Sequence, residues 1–132
     1  MAGLIYLDAS AIVKLVVEEL ESSALRDALR GRPRRVSSAL ALVQVHRAAA
    51  GRTPAPSAGR VETILAGLTL IPVDRFSLEG AARLGAYGLR TLDAIHLATA
   101  QSLSEDLESF VAYDQRLLAA ADASGLSTEQ PR

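Results

Sequence analysis

The sequence predicts an α/β protein, with a parallel sheet covered by helices on both faces. Three observations carry that reading. Short apolar runs recur along the chain, each followed by a longer stretch with helical periodicity. Two of the short runs lead into an aspartate, at Asp8 and at Asp114. No internal repeat, low-complexity tract or linker interrupts the alternation, so residues 1–132 read as one domain.

The elements follow in order. Residues 4–7 form a short apolar run and predict a buried strand. Residues 10–16 predict a helix with Ile12, Leu15 and Val16 on one face. Residues 19–30 predict a second helix, ended by Gly31-Arg32-Pro33. Residues 35–38 predict a strand, with Ser37 or Ser38 capping a helix over 39–50. Residues 51–57 hold two prolines and a glycine and read as a loop. Residues 59–67 predict a helix and 68–73 a strand. Residues 77–89 predict one helix, and Thr91 caps the next over 92–103. Residues 109–113 predict a strand, 114–123 a helix closed by Gly125, and 126–128 a short final strand. Residues 129–132 read as a frayed tail.

Composition narrows the function. There are no cysteines, which excludes thiolate metal sites and fits a reducing, cytoplasmic setting. Any metal must be held by oxygen or imidazole. No apolar run is long enough to span a bilayer, and the opening residues lack the marks of a signal peptide. The net charge of −1 argues against coating nucleic acid by bulk electrostatics but leaves room for a local basic rim. Lys14 is the only lysine among the 14 basic residues. Arginine suits phosphate through its planar fork, although codon bias gives the same composition.

The acids carry the chemistry. In an open parallel sheet, ligands bind at the carboxyl ends of strands, where the strand order reverses. Asp8 and Asp114 both stand at such ends. Asp93 stands in the first turn of its helix. Each has a plain structural use as well, as a cap, a turn residue or a dipole partner. Together they form a carboxylate cluster whose members raise one another's pKa unless a cation is present. Hard ions such as Mg²⁺ or Mn²⁺ prefer oxygen donors and can activate water for attack on a phosphodiester.

Four segments resemble the motifs of VapC-type PIN-domain ribonuclease toxins. They are Tyr6-Leu7-Asp8-Ala9-Ser10-Ala11-Ile12, Ser37-Ser38-Ala39-Leu40-Ala41-Leu42-Val43-Gln44, Arg90-Thr91-Leu92-Asp93-Ala94-Ile95-His96, and Phe110-Val111-Ala112-Tyr113-Asp114-Gln115-Arg116. Their order and spacing match along essentially the whole chain. The resemblance implies a three-layer α/β/α sandwich with about five parallel strands, the first and fourth side by side at the centre. It implies Mg²⁺- or Mn²⁺-dependent cleavage of single-stranded RNA or of tRNA and rRNA loops, with Asp8, Asp93 and Asp114 holding the metal. It further implies homodimers and a VapB-like antitoxin that blocks the site.

One position departs from the pattern. Gln44 stands where such proteins carry a catalytic glutamate. The change is isosteric but removes a charge, so an attenuated enzyme is expected. The alternative is a disabled module that mainly binds antitoxin or RNA.

Ser10 and Arg116, two residues past the first and last aspartates, are the candidate substrate contacts. Arg47, Arg52 and Arg90 lie in or near the motifs, whereas Arg32 and Arg34 read as solvated or salt-bridged. The apolar helix around His96 reads as holding a satisfied core histidine, and neither His46 nor His96 is taken as a ligand. The helices around residues 15–29 and 61–68 are candidate partner or dimer surfaces. Phosphate-cradle and nucleophile-elbow patterns are absent. A phosphoryl-receiver site needs an aspartate where Ser10 stands.

Overall fold

A computed structural model describes residues 3–132; Met1 and Ala2 lie outside the described residues. The side-chain alternation of the first strand, β1 (Leu4–Leu7), decides the layers. Ile5 and Leu7 enter one apolar core and Tyr6 enters the other. A strand buried on both faces needs helices on both sides.

Four helices cover the Ile5 and Leu7 face: α1 (Ala9–Val16), α2 (Ser22–Leu29), α3 (Leu40–Ala50) and α4 (Ala58–Ala66). Three cover the Tyr6 face: α5 (Arg75–Ala82), α6 (Thr91–Gln101) and α7 (Gln115–Ala123). The remaining strands are β2 (Arg35–Ser38), β3 (Thr69–Ile71), β4 (Leu107–Val111) and β5 (Thr128–Glu129). The sheet order is β3-β2-β1-β4-β5, with every pairing parallel. The expected three-layer sandwich of five parallel strands is therefore what the chain forms.

Tyr6 pairs with Phe110 across β1 and β4, and their rings stack at 5.3 Å with an 11° interplanar angle. Each fully buried side chain of this size contributes roughly 1.5–3 kcal/mol. Chain order runs outward from β1 through β2 to β3, then returns to the other side of β1 for β4 and β5. The switch point lies between β1 and β4, as the resemblance implied.

Several boundaries move. The helix expected over 77–89 is α5 followed by a separate 3-10 turn, Gly85–Tyr87. Asp74 starts α5 by accepting from the Ser77 N–H at 2.8 Å, and Gly88 closes the turn at φ +65°. Gly80 permits close packing, since a Cβ there would stand 3.3 Å from the Ala98 methyl. Thr91 is the first residue of α6, not its cap. Ser38, not Ser37, serves the start of α3, accepting from the Leu40 N–H at 3.2 Å.

The final strand is Thr128–Glu129 in place of 126–128, and the expected frayed tail is docked. Arg32 holds Glu129 through two nitrogens at 2.6 and 3.1 Å and also reaches Glu108. The Tyr113 hydroxyl donates to the Pro131 carbonyl at 2.8 Å. A forked ion pair and a sheet ladder outweigh the tail's conformational entropy.

The helices expected as partner surfaces turn most of their apolar residues into the Ile5 and Leu7 core, while Leu20, between α1 and α2, is 95% exposed. The larger exposed apolar side chains include Phe76, Leu78 and Leu92 of α5 and α6, and Leu42 and Val43 of α3. Among the described residues, no helix is long and apolar enough to cross a membrane.

Candidate active site

Parallel strands deliver their carboxyl ends to one edge of the sheet, and the acids gather there. Asp8 follows β1 directly and is buried, with 3% exposure. Its Oδ1 accepts two donors: the Ala11 N–H at 3.0 Å, which caps α1, and the Ser10 hydroxyl at 2.7 Å. Its second oxygen has no hydrogen-bond partner among the described residues. Ser10 is engaged on two sides, since its oxygen also accepts the Tyr113 backbone N–H at 3.3 Å.

Asp114 follows β4 after Ala112 and Tyr113, because the strand ends at Val111. It is exposed, and its Oδ1 caps α7 by accepting from the Leu117 N–H at 3.0 Å. Asp93 is half-buried in the first turn of α6. Its carboxylate makes no hydrogen bond among the described residues.

A groove of about 340 Å³ runs between the start of α6 and the start of α7, lined by Arg90, Asp93, Asp114 and Arg116 among others. Asp8 lies beneath it, near enough to feel both other acids. Burial pushes the Asp8 carboxyl up to about 6; the Ser10 and Ala11 donors pull it back, and the charges of Asp93 and Asp114 push it further up. Burial also raises Asp93, helped by the charge of Asp114 and opposed by Arg90. The structure thus brings all three aspartates to one electrostatic neighbourhood and places Arg116 on its rim.

Gln44 comes to the same edge from α3, half-buried. Its Oε1 lies 2.7 Å from His96 Nε2, and His96 Nδ1 lies 2.7 Å from the Tyr6 hydroxyl. His96 is 1% exposed, and burial drops its imidazole to about 4, so it is neutral at pH 7. It is the satisfied core histidine that its apolar helix suggested. Its link to Gln44 was not foreseen, because nothing in a linear sequence ties α3 to α6. Arg90 stood near a motif without a role; its position one residue before α6 was the available signal.

The donor chemistry suits a hard divalent ion: oxygen only, anionic, and partly desolvated. Among the described residues, no three acidic or imidazole groups converge closely enough to hold an ion as they stand. The carboxylates share a field across the groove rather than a common ligating point.

An open parallel sheet that collects acids at its switch point defines a class of α/β/α proteins. The sequence profile of the PIN domain matches residues 5–123, and the chain belongs to the PIN-domain family. Over 128 residues it is 52% identical to ribonuclease VapC46 of Mycobacterium tuberculosis, spanning 96% of this chain and 97% of that one. It is 41% identical to ribonuclease VapC35 of the same species over 132 residues, or 97% of each chain. Its recognised type is therefore VapC.

Solved structures agree on the fold. A toxin–antitoxin complex from Klebsiella pneumoniae matches with a TM-score of 0.75 at 20% identity, covering 97% of this chain and 98% of that one. The structure of VapC20 from Mycobacterium tuberculosis, a sarcin–ricin loop cleaving toxin, matches at 0.73 and 14% identity, covering 96% and 99%.

Proposed function

We propose that the chain is an endoribonuclease toxin, dependent on Mg²⁺ or Mn²⁺, that cuts single-stranded or loop regions of RNA. The observation that carries the reading is the Asp8 carboxyl. It is buried, raised to about 6, and pressed by two further acids facing the same groove. A bound cation would offset both the desolvation and the repulsion of that carboxyl.

Asp8, Asp93 and Asp114 would hold the ion. When bound, such an ion supplies the acidity that lets water attack a phosphodiester at neutral pH. Ser10 and the Ala11 N–H fix the Asp8 carboxylate through Oδ1 and leave its other oxygen unbonded. Arg90 and Arg116, on the groove wall, offer planar forks to backbone phosphates. Gln44 contributes no charge, so the site is a weaker electrostatic trap than one with glutamate there.

The similarity to ribonucleases VapC46 and VapC35, and to a toxin in complex with its antitoxin, supports the same activity and a VapB-like antitoxin partner. The exposed apolar side chains Phe76, Leu78 and Leu92 offer a surface for protein partners, including a second copy in a homodimer.

A calorimetric Mn²⁺ titration with Asp8→Ala as control, followed by an RNA cleavage gel, tests the reading. Mn²⁺ uptake and cleavage lost together in Asp8→Ala support it. Neither metal uptake nor cleavage in the native chain, with tight antitoxin binding retained, assigns it to a binding module instead.

A further inference from the structure

A hydrogen-bonded chain of three side chains crosses from one core to the carboxyl edge of the sheet. Tyr6 belongs to β1, His96 to α6 and Gln44 to α3, with 2.7 Å at each link. The direction of the protons follows from the surroundings. Gln44 Oε1 is an amide oxygen and can only accept, so the hydrogen in that link sits on His96 Nε2, and burial holds the Tyr6 phenol protonated. Nδ1 of the neutral ring is then an acceptor, and the Tyr6 hydroxyl donates to it. A neutral imidazole carries one N–H, so Nε2 bears the hydrogen and donates to Gln44 Oε1.

An amide has one acceptor end and one donor end. With Oε1 engaged inward by a buried histidine, the Gln44 NH₂ diverges from that contact. It makes no hydrogen bond among the described residues. Gln44 is half-buried in α3, and its partner His96 lies one helical turn beyond Asp93 on α6, so the unengaged donor belongs to the side chain that ties α3 to the Asp93 helix. A glutamate here would take the same His96 hydrogen on one oxygen and present a second acceptor. Glutamine presents a donor.

We infer that Tyr6 and His96 are positioning residues that hold Gln44 with its NH₂ outward, making it a hydrogen-bond donor to a phosphodiester oxygen of the substrate and not a metal ligand. The inference rests on the nuclease reading for its substrate; the orientation itself does not. Gln44 binds phosphate chemistry on its own account, and the pair behind it sets which end of the amide is offered.

The test has two readouts. In ¹⁵N-labelled full-length protein, long-range ¹H–¹⁵N spectra report the His96 tautomer. The Nε2–H form is expected across pH 5.5–8, and Tyr6→Phe should erode that preference. An Nδ1–H form would make Gln44 the donor to His96 and overturns the inference. The second readout splits binding from metal uptake in Gln44→Met, which keeps the length and removes the donor. Its Mn²⁺ Kd should stay within about twofold, while KM for a single-stranded RNA rises about three- to tenfold, the range of one hydrogen bond. Tyr6→Phe should move KM the same way by less. A Mn²⁺ Kd weakened tenfold or more with KM unchanged overturns the inference and makes Gln44 a ligand. If the native protein neither binds Mn²⁺ nor cleaves RNA, the nuclease reading fails on its own, and the tautomer still decides the positioning.

Discussion

The Ser10 hydroxyl donates to Asp8 Oδ1 at 2.7 Å while accepting the Tyr113 backbone N–H at 3.3 Å. One side chain therefore joins the residue after β1 to the segment after β4, across the switch point. Ser10 lowers the Asp8 pKa against the effect of burial. Ser10→Ala should raise the Asp8 carboxyl further and destabilise the chain by about 1 kcal/mol. A ¹³C-detected carboxyl titration and a urea melt check both; a lower Asp8 pKa would contradict the geometry.

Asp8 also sets a pH dependence of stability in metal-free protein. Its folded value of about 6 lies above the ordinary aspartate value of 3.8, so the folded state holds its proton longer than the unfolded state. The acid's cost is absent below pH 4, grows as pH rises through about 6, and reaches about 3 kcal/mol above that. Asp8→Asn should therefore be more stable than the native chain at pH 7.5 in EDTA, with the difference shrinking toward pH 4. Denaturant midpoints across that range decide it, and a difference independent of pH would refute it.

Gln44→Glu should bind Mn²⁺ more tightly and cleave faster at saturating RNA, because it adds a negative charge beside the acids, while KM rises with the loss of the amide donor. The new carboxylate would lie against His96 Nε2 and raise the imidazole pKa from its buried value. Side-by-side cleavage with Mg²⁺ titration tests the first effect and imidazole titration the second. Equal rates and equal metal dependence would sink the claim.

Arg116→Ala and Arg90→Ala should each weaken RNA binding with little sequence preference and reduce the salt slope of binding by about one. Arg90→Ala should also raise the Asp93 carboxyl, since Arg90 is the group that lowers it. Filter binding at several salt concentrations distinguishes the two arginines from inert surface.

Arg32→Ala removes the clamp on Glu129 and Glu108. β5 should then loosen from β4, with a stability loss of about 1 kcal/mol, because the pairs are partly exposed. The Phe110 N–H, which donates to the Ser127 carbonyl at 2.8 Å, should exchange faster with solvent. Unchanged exchange at Phe110 would show that the ladder alone holds the strand.

Local patterns in the sequence anticipated the sheet because the apolar strand runs are bounded sharply. Leu4–Leu7 stops at Asp8, and Arg35–Ser38 stops at a helix start. The break after α5 was hidden, since Asp74 looks like any loop acid until its cap is seen, and Gly85 and Gly88 lie inside a plausible helical pattern. Asp8 and Asp114 were legible as candidate site residues from their strand-end positions. Asp93 became part of the groove only through the packing of α6 beside α7. The long-range bonds were beyond the sequence altogether: Tyr6 to His96 spans 90 positions and Arg32 to Glu129 spans 97.

The pairing of β1 with β4 has a consequence for how the protein is made. Tyr6 meets Phe110 in that ladder, so the first strand must wait until most of the chain has left the ribosome before one of its two flanks is filled. Contacts this distant in sequence slow folding, because the loop between them must close first. The same delay times the assembly of the acidic edge. Asp8 and Asp114 become neighbours only when that ladder forms, so a nascent or truncated chain has no acidic groove. The acidic edge is therefore assembled late, when synthesis of the chain is nearly complete.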